Sequence, residues 1–243
     1  MGIVTVLNRT TSDPYTLSGF CAGICWGANT NSQEKNFKRG QSCYAADHMR
    51  TAEYPQIYLI LDGYSAKVIR EWYTHIIDTS RMQASTRYMN YKNFAYTVPP
   101  SIVNNEEALD TYIDTMSMIS NSIEYLLELG IPNEDATMIL PLAYSTKIVV
   151  RIGLREFMNM CRKRRCSRAY WEYRELMNDI VDALCDYSDE YCVLRDEGYF
   201  DVQCEVLGYC PEEHCCGRKM KKADAFKILE NYKREEENGR TDN

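Results

Sequence analysis

Short apolar runs along the chain predict β-strands. Residues 3–7 are mostly β-branched, which favours the extended backbone of a strand. Residues 56–61 form a nearly continuous apolar run that is typical of a buried strand, and Asp62-Gly63 marks its predicted end. Residues 147–150 form a shorter apolar piece, and this pattern fits either an extended or a helical conformation.

Apolar residues that recur every three or four positions predict amphipathic helices. Ser65 is a suitable N-cap for a helix that continues to about residue 77. A longer helix is predicted over residues 105–129, because its apolar stripe ends at a glycine. Two more helices are predicted over residues 153–164 and 167–192. The apolar face of the helix that begins at Ser65 would contain Val68, Trp72, His75 and Ile76.

A helix that begins near Tyr15 carries a glycine at every fourth position. Gly19, Gly23 and Gly27 would form a stripe without side chains, which lets two backbones approach closely. The glycine patterns of dinucleotide-binding turns and of P-loops are both missing from the sequence. Close helix packing is therefore the interpretation, and a bound dinucleotide would not be held by a Rossmann domain.

The bulk composition favours one globular domain. The chain has 243 residues, of which 45% are hydrophobic, and both values are ordinary for a globular protein. We assign residues 1–218 to the domain and residues 219–243 to a charged, partly disordered C-terminal tail. The 28 Lys and Arg against 35 Asp and Glu give a net charge of −7, which disfavours binding to a nucleic acid polymer.

The sequence also limits the compartment and the metal chemistry. It shows neither a secretory signal pattern nor the roughly 18 consecutive apolar residues of a membrane span. We therefore expect a cytoplasmic protein, not bound to a membrane, whose eleven cysteines are mostly reduced. The spacing of the C-terminal cysteines lacks the Cys-x2-Cys pairs of structural zinc sites, so we predict buried thiols or an occasional disulfide and no metal. These cysteines are Cys204, Cys210, Cys215 and Cys216.

Residues 81–88 have the side chains of an anion-binding turn and follow the predicted helix that starts at Ser65. The hydroxyls of Ser85 and Thr86 can donate to phosphate oxygens, and the guanidinium of Arg87 can make a bidentate contact. The amide of Gln83 can bind the edge of a base. The same composition also fits a polar surface loop.

Positive charge is concentrated in residues 162–168, which hold five cations in seven positions and include Arg164. Such a cluster indicates either an anion site or a solvated helix end. Arg155 and Asn159 are four residues apart, so they lie on the same face of the predicted helix. They could bind a ligand together, or they could form a helix surface that pairs with a carboxylate.

Together these segments resemble the flavin-dependent thymidylate synthases. The likeness extends from about residue 11 to about residue 218 and includes the sequence Gln-Ala-Ser-Thr-Arg-Tyr at residues 83–88. Residues 154–174 match a second segment typical of that family, and His48 with Glu53 matches a third. Most of the predicted domain is therefore covered by the resemblance.

The resemblance implies an α+β fold in which a central sheet is flanked by long helices, as one catalytic domain over residues 1–218. It implies the reductive methylation of dUMP to dTMP with FAD, with methylene-tetrahydrofolate as carbon donor and NADPH as reductant. It also implies a homotetramer whose active sites are shared between subunits. Such enzymes polarise the pyrimidine by electrostatics and not through a nucleophilic cysteine, which suits an arginine-rich site.

The resemblance also assigns roles to particular residues. Arg164 matches the arginine that binds the pyrimidine ring and favours its anionic form, and it is the expected catalytic residue. The expected nucleotide-binding residues are Gln83, Ser85, Thr86 and Arg87, with Lys147 as a compensating cation. The expected flavin-binding residues are His48, Arg50, His75, Arg155 and Asn159.

The sequence departs from the family pattern at several positions. The family's Arg-His-Arg triplet is replaced by Thr74-His75-Ile76, and the arginine expected ahead of Leu-Pro is Thr137. Each lost charge-assisted hydrogen bond would cost about 1.5 to 3 kcal/mol unless it is replaced. Two alternatives therefore stay open. One is a related enzyme that methylates or hydroxymethylates another pyrimidine deoxynucleotide, and the other is a non-catalytic nucleotide-binding protein.

Overall fold

A computed structural model of the chain describes residues 2–239, with side chains described through residue 233. Helices surround a four-stranded antiparallel sheet of strand order β1-β2-β4-β3, which confirms the predicted α+β class. The strands are β1 Ile3–Val6, β2 Gln56–Ser65, β3 Thr79–Gln83 and β4 Ser145–Gly153.

Eleven α-helices and two 3-10 turns are found in the described part of the chain. The first helices are α1 Pro14–Cys25, α2 Gln33–Ala45, α3 Ala66–Trp72, α4 Pro100–Val103, α5 Glu106–Glu128 and α6 Asn133–Ala136. The later helices are α7 Leu154–Arg164, α8 Trp171–Tyr187, α9 Asp189–Asp196, α10 Gln203–Leu207 and α11 Lys222–Gly239. The 3-10 turns are Met49–Glu53 and Thr137–Ile139.

One face of the sheet forms the floor of the main hydrophobic core. Side chains alternate between the faces of a strand, and the inward residues of β2 and β4 are fully or almost fully buried against α7 and α8. The opposite face is open, and Met82 on it is 73% exposed. The inward residues are Ile57, Leu59 and Leu61 of β2 and Ile148, Val150 and Ile152 of β4.

The bounds of two strands differ from those predicted. The predicted stop at Asp62-Gly63 is wrong, because β2 passes through a bulge there and continues to Ser65. Gly63 has a φ of +79°, which glycine adopts without strain and which lets the strand bulge. The piece at residues 147–150 is extended and is the middle of β4.

The prediction of one helix from Ser65 to about residue 77 is partly wrong. Ser65 does cap α3, since its hydroxyl oxygen accepts from the amide of Val68. However, α3 ends at Trp72, and Asp78 with a φ of +44° turns the chain into β3. The apolar periodicity did not reveal this strand, because β3 is an edge strand whose residues are mostly polar. As a result, Ile76 is 74% exposed and does not lie on an apolar helix face.

The helix predicted over residues 167–192 is two helices. It begins at Trp171, and Ser188 breaks it with an extended backbone at φ −159° and ψ 138°. The hydroxyl of Ser188 caps the next helix by accepting from the amide of Glu190. A hydrophobic period that continues across a break does not reveal it, because both helices pack on the same core. Helix α2 was not predicted because its sequence is mostly polar.

The glycine stripe was correctly interpreted as a packing surface for two of its three members. A Cβ on Gly19 would lie 1.8 Å from the carbonyl oxygen of Asn36 in α2. A Cβ on Gly23 would lie 2.5 Å from the guanidinium of Arg39. Gly27 follows the end of α1 with a φ of +63° and open space around it, so it makes no such contact.

The C-terminal region contains a helix and a group of thiols. Helix α11 runs through most of the predicted tail, and residues 240–243 lie outside the described residues. All eleven cysteines are free, and Cys204 and Cys210 are buried in a small cluster with Cys166 and Cys215. Among the described residues, no group of three or more His, Cys, Asp or Glu is arranged to hold a metal ion. No helix in the described range is long and apolar enough to cross a membrane.

Candidate active site

An open cleft of about 690 Å³ lies between the 3-10 turn Met49–Glu53 and the first turns of α7. It brings together four of the five residues that were expected to bind flavin. These are His48, Arg50, Arg155 and Asn159. The cleft also contains Arg162 and the carboxylates Asp47 and Glu53.

The fold explains why these side chains converge. Helix α7 follows β4 directly, and Gly153 at the junction is required because a Cβ there would lie 1.7 Å from a carboxylate oxygen of Asp78. Arg155 and Asn159 are one helical turn apart and share the face toward the cleft. The guanidinium of Arg155 forms an ion pair with Glu53 across the cleft, which holds the two walls together.

Arg164 lies at the C-terminal end of α7 and is held by a network of side chains. Its Nε donates to His75 Nε2 at 3.0 Å, and its Nη2 donates to the hydroxyl of Thr74 at 3.1 Å. Its Nη1 lies 3.4 Å from a carboxylate oxygen of Glu71. The guanidinium also lies over the ring of Tyr173, 4.8 Å from the ring centre. These contacts fix the plane of the guanidinium, which is a requirement for directed binding of a ligand.

His75 has a different position from the one expected of a flavin contact. It is 8% exposed and lies behind Arg164, with Nδ1 at 3.5 Å from Oε1 of Glu156. Because Nε2 accepts from Arg164, the ring is neutral and its proton is on Nδ1. Burial and the charge of Arg164 lower the pKa of His75, and Glu156 opposes this shift. A direct contact between His75 and flavin stays a prediction.

Glu156 connects the cleft to Arg164. The amide Nδ2 of Asn159 donates to Oε2 of Glu156 at 3.3 Å, and Oε1 of the same carboxylate faces His75. A chain of polar contacts therefore runs from Asn159 through Glu156 and His75 to Arg164. Sequence reasoning did not identify Glu156, although it is a carboxylate next to Arg155 in α7.

The pH dependence of this chain of polar contacts can be tested at His75. The lowered pKa means that the folded protein favours neutral His75. Neutral His75 thus contributes to the stability of the fold above its pKa of about 6.5 in the unfolded chain. This contribution is lost as the pH falls through the lowered pKa that His75 has in the folded protein. In Glu156→Gln the carboxylate that raises this pKa is removed, so we expect His75 to titrate at a still lower pH. NMR titration of the histidine ring measures this shift.

Glu53→Gln is the matched control for that titration. It removes a carboxylate from the same cleft, but Glu53 pairs with Arg155 and makes no contact with His75. The histidine titration should then stay at its wild-type pH. An unchanged His75 titration in Glu156→Gln would contradict the assigned contact.

The segment after β3 forms a turn, as expected, but the turn begins later than predicted. Residues 81–83 are the end of the strand, and the turn covers residues 84–88. The hydroxyl oxygen of Ser85 accepts from the amide of Arg87 at 3.1 Å. Arg87 is exposed on the surface and its Nε lies 2.7 Å from Oε2 of Glu134. This guanidinium can therefore change partners without a large loss of packing.

Helix α6 and the 3-10 turn after it hold the turn of residues 84–88 by hydrogen bonds. Asn133 donates from Nδ2 to the carbonyl oxygens of Thr86, Arg87 and Met89 at 2.9 to 3.0 Å. Thr137 is 4% exposed, and its hydroxyl lies 2.7 Å from the carbonyl oxygen of Asn133. Sequence reasoning missed the role of Asn133, since its partners are backbone atoms that only the fold brings near.

Two other expected substrate residues have partners within the sheet. Gln83 donates from Nε2 to the hydroxyls of Tyr144 and Thr146 at 3.3 and 3.2 Å. Lys147 lies on the open face, where its Nζ is 2.5 Å from Oδ2 of Asp62. Only the backbone of Lys147 contacts the turn, through its carbonyl oxygen and the amide of Ala84. Binding of nucleotide by the Lys147 ammonium stays a prediction.

The predicted residues thus form three groups in this chain. The cleft group, which includes Arg155 and Asn159, is joined through Glu156 to the Arg164 group, which consists of Arg164 and His75. The turn of residues 84–88 is a third group, and in the described residues it makes no hydrogen bond or ion pair with Arg164.

Comparison with known proteins identifies the family. A family model described as "Thymidylate synthase complementing protein" matches residues 6–187. A protein of Nitratidesulfovibrio vulgaris named "Flavin-dependent thymidylate synthase" is 30% identical over 215 residues, covering 83% of this chain and 84% of that protein. The chain belongs to the flavin-dependent thymidylate synthase family. The resemblance inferred from the sequence is therefore confirmed.

Another relative and a solved structure are also similar to this chain. A flavin-dependent thymidylate synthase of Clostridium tetani is 27% identical, covering 91% of this chain and 97% of that protein. The fold is similar to "a UMP/dUMP methylase PolB from Streptomyces cacaoi bound with 5-Br dUMP", with a TM-score of 0.66 and 13% identity. That match covers 79% of this chain and 93% of the other chain, and at this identity it shows a shared fold. The family name implies a flavin cofactor.

Proposed function

We propose that this protein catalyses the reductive methylation of dUMP to dTMP, with FAD, methylene-tetrahydrofolate and NADPH. The observation that carries the proposal is the polar chain from Asn159 to Arg164, which connects a cationic cleft to an oriented guanidinium. Family membership supplies the class of reaction, and relatives named flavin-dependent thymidylate synthases cover most of the chain.

The cleft residues fit a flavin dinucleotide. Arg50, Arg155 and Arg162 give the cleft three guanidinium groups against the carboxylates of Asp47 and Glu53. The buried Nε of Arg162 has no hydrogen-bond partner among the described residues. Such groups suit an anionic pyrophosphate, and the amide of Asn159 suits a heterocycle. When bound, FAD would supply hydride chemistry.

Arg164 would bind the pyrimidine and stabilise negative charge on it. A guanidinium whose orientation is fixed before the ligand binds needs little reorganisation as charge develops. Glu71, Thr74 and His75 supply this fixation. In this proposal His75 and Glu156 are positioning residues for Arg164, and neutral His75 avoids placing a second positive charge behind the guanidinium.

The turn of residues 84–88 would bind the nucleotide phosphate in a site shared between subunits. Arg87 and the hydroxyls of Ser85 and Thr86 are the donors of this turn. Because the turn forms no hydrogen bond or ion pair with Arg164 among the described residues, we propose that it completes the site of a neighbouring subunit in a homotetramer. The open sheet face with Met82 and the exposed Ile76 offers apolar surface for such contacts.

Absorbance and product analysis test the proposed function. We expect purified full-length protein to show the flavin absorbance spectrum and to lose it on anaerobic addition of NADPH. With dUMP and methylene-tetrahydrofolate it should then form dTMP, measured by chromatography. A protein that binds dUMP but shows no flavin and no product would contradict the enzyme proposal and favour the non-catalytic nucleotide-binding alternative.

A related reaction on another pyrimidine deoxynucleotide is the second candidate. Thr137 replaces an arginine that the family resemblance expects at the nucleotide site, and its hydroxyl is occupied by the carbonyl oxygens of Asn133 and Thr86. The nucleotide would then meet a different set of donors, which can change the base that is accepted. Product formation from dCMP but not from dUMP, with the same flavin signal, would favour this candidate.

Arg87→Ala is expected to weaken dUMP binding by about 10-fold to 100-fold, because a charge-assisted contact of about 1.5 to 3 kcal/mol is lost. Isothermal titration calorimetry measures the affinity. Glu134→Gln is the control, since it removes the present partner of Arg87 and should leave affinity unchanged or higher. Equal loss of affinity in both variants would assign Arg87 a structural role only.

A further inference from the structure

A second cavity lies beyond the C-terminal end of α7. It has a volume of about 540 Å³, which is within the usual range for sites that bind small molecules. One wall is the end of α7 with Lys163 and the connection to α8 with Arg168, and the other is the C-terminal segment that carries His214 and Arg218. The cleft described above shares only Arg162 with this cavity.

The lining of this cavity is strongly cationic. Glu212 is the one carboxylate among its lining residues, and it already forms an ion pair with Arg168. The whole chain has a net charge of −7, so the positive charge here is a local concentration and not a property of the surface in general. The cationic lining residues are Arg162, Lys163, Arg164, Arg168 and Arg218.

Three of these five cations, Arg162, Lys163 and Arg218, form no ion pair or side-chain hydrogen bond in the described chain. Arg164 is occupied by Glu71, His75 and Thr74, and Arg168 is paired with Glu212. Holding like charges around one cavity costs free energy that a bound anion would recover.

The second wall distinguishes this cavity from a solvated helix end. Arg218 comes from a distant segment, and the ion pair between Glu212 of that segment and Arg168 attaches it near the end of α7. Within the segment, the amide of Cys210 donates to the carbonyl oxygen of Met220 at 2.8 Å, and Lys219 Nζ lies 2.7 Å from Oε2 of Glu205. The fold thus places a second cationic wall opposite the cationic end of α7, and the packing of Cys166 against the cluster of Cys204 and Cys210 holds the two walls together.

We infer that this pocket binds a small polyanion, a molecule that carries two or more adjacent phosphate or carboxylate groups. Both groups accept the paired hydrogen bonds that a guanidinium donates, and two adjacent groups can bridge Lys163 and Arg218. The cavity borders the proposed site at Arg162 and Arg164, but the inference goes beyond the proposed function because Lys163 and Arg218 have no role in that function and the test requires no turnover.

Calorimetry with three probes tests the inference on the purified full-length protein. We expect pyrophosphate or a tri-glutamate peptide to bind at least about tenfold more tightly than orthophosphate, with affinity that falls as salt is added. Tighter binding of pyrophosphate would assign a phosphate chain, and tighter binding of tri-glutamate would assign a carboxylate tail. Binding of both probes no tighter than orthophosphate would overturn the inference.

Charge-removing variants locate the site. Lys163→Gln and Arg218→Gln should each weaken binding of the tighter probe at least about tenfold, because each removes one charge-assisted contact. Both side chains are exposed, so circular dichroism should show an intact fold. Lys35→Gln and Arg9→Gln remove the same charges from exposed positions elsewhere and should bind as wild type.

The variants also distinguish this pocket from the proposed nucleotide site. Arg87→Gln changes the nucleotide turn and should leave binding of the probe unchanged. Loss of binding in Arg87→Gln with wild-type binding in Lys163→Gln and Arg218→Gln would place the polyanion at the turn and would overturn the inference. Failure of dTMP formation would bear on the proposed function alone, because these measurements do not use turnover.

Discussion

Arg164→Ala is expected to lower kcat by about 10² to 10³ or more, while the assembly state of the protein stays unchanged. The guanidinium is the group that would stabilise negative charge on the pyrimidine, and alanine cannot replace it. Its contacts with Glu71, Thr74 and His75 position it for the ligand and do not contribute to the core. Steady-state kinetics and size-exclusion chromatography measure the two outcomes.

Arg164→Lys separates charge from geometry. Lysine retains the positive charge but has no planar fork, so it cannot bind His75 and Thr74 together as the guanidinium does. We expect most of the loss seen with alanine to persist. Arg165→Lys is the matched control at the next position, where the guanidinium donates to Asn178 and to the carbonyl oxygen of Phe200.

The control should keep near-normal kcat with some loss of thermal stability. Near-normal activity of Arg164→Ala would remove this residue from the active site and, with it, the central assignment of the proposed function. Equal loss of activity in Arg164→Lys and Arg165→Lys would indicate that this end of α7 acts through its structure only.

Gly19→Ala is expected to destabilise the fold by about 3 kcal/mol or more, the largest stability effect that we predict. The new Cβ would lie 1.8 Å from the carbonyl oxygen of Asn36, and the nitrogen of Gly40 would be 2.6 Å away. These are backbone atoms, which cannot rotate aside, so α1 and α2 would have to separate. At about 2 to 4 °C for each kcal/mol, the melting temperature should fall by about 6 to 12 °C.

Gly27→Ala is the matched control for this prediction. In the described part of the chain, no neighbouring atom lies within 4 Å of the position that its Cβ would take, so the new methyl group meets open space. Its φ of +63° is unfavourable for alanine, which costs about 1 kcal/mol. Differential scanning calorimetry should therefore show a clearly smaller shift for Gly27→Ala. Similar shifts in the two variants would mean that backbone conformation, and not helix contact, limits these positions.

The elements with a strong apolar period could be predicted from the sequence. Helices α5 and α7 lie where the pattern placed them, within one or two residues at each end. Strand β3 and helix α2 could not be predicted, because their residues are mostly polar and their stability comes from packing against other elements. For β3 that element is β4, which pairs with it from Thr79 to Gln83.

Some contacts of the candidate site could likewise be predicted from the sequence, and others could not. Arg155 and Asn159 could be paired from their spacing, since a helix puts residues four apart on one face. The contact between His75 and Arg164 joins the chain after α3 to the end of α7. No local pattern contains that contact, because it depends on how α3 and α7 pack.

The family, the α+β class and the residue types that can bind anions could be inferred from local sequence patterns and from the motif at residues 83–88. The positions of His75 behind Arg164, of Glu156 between the cleft and this pair, and of Arg218 opposite the end of α7 became known from the three-dimensional fold. These contacts join residues that are distant in the chain. Their geometry is set by the packing of whole helices and strands, which no short stretch of sequence contains.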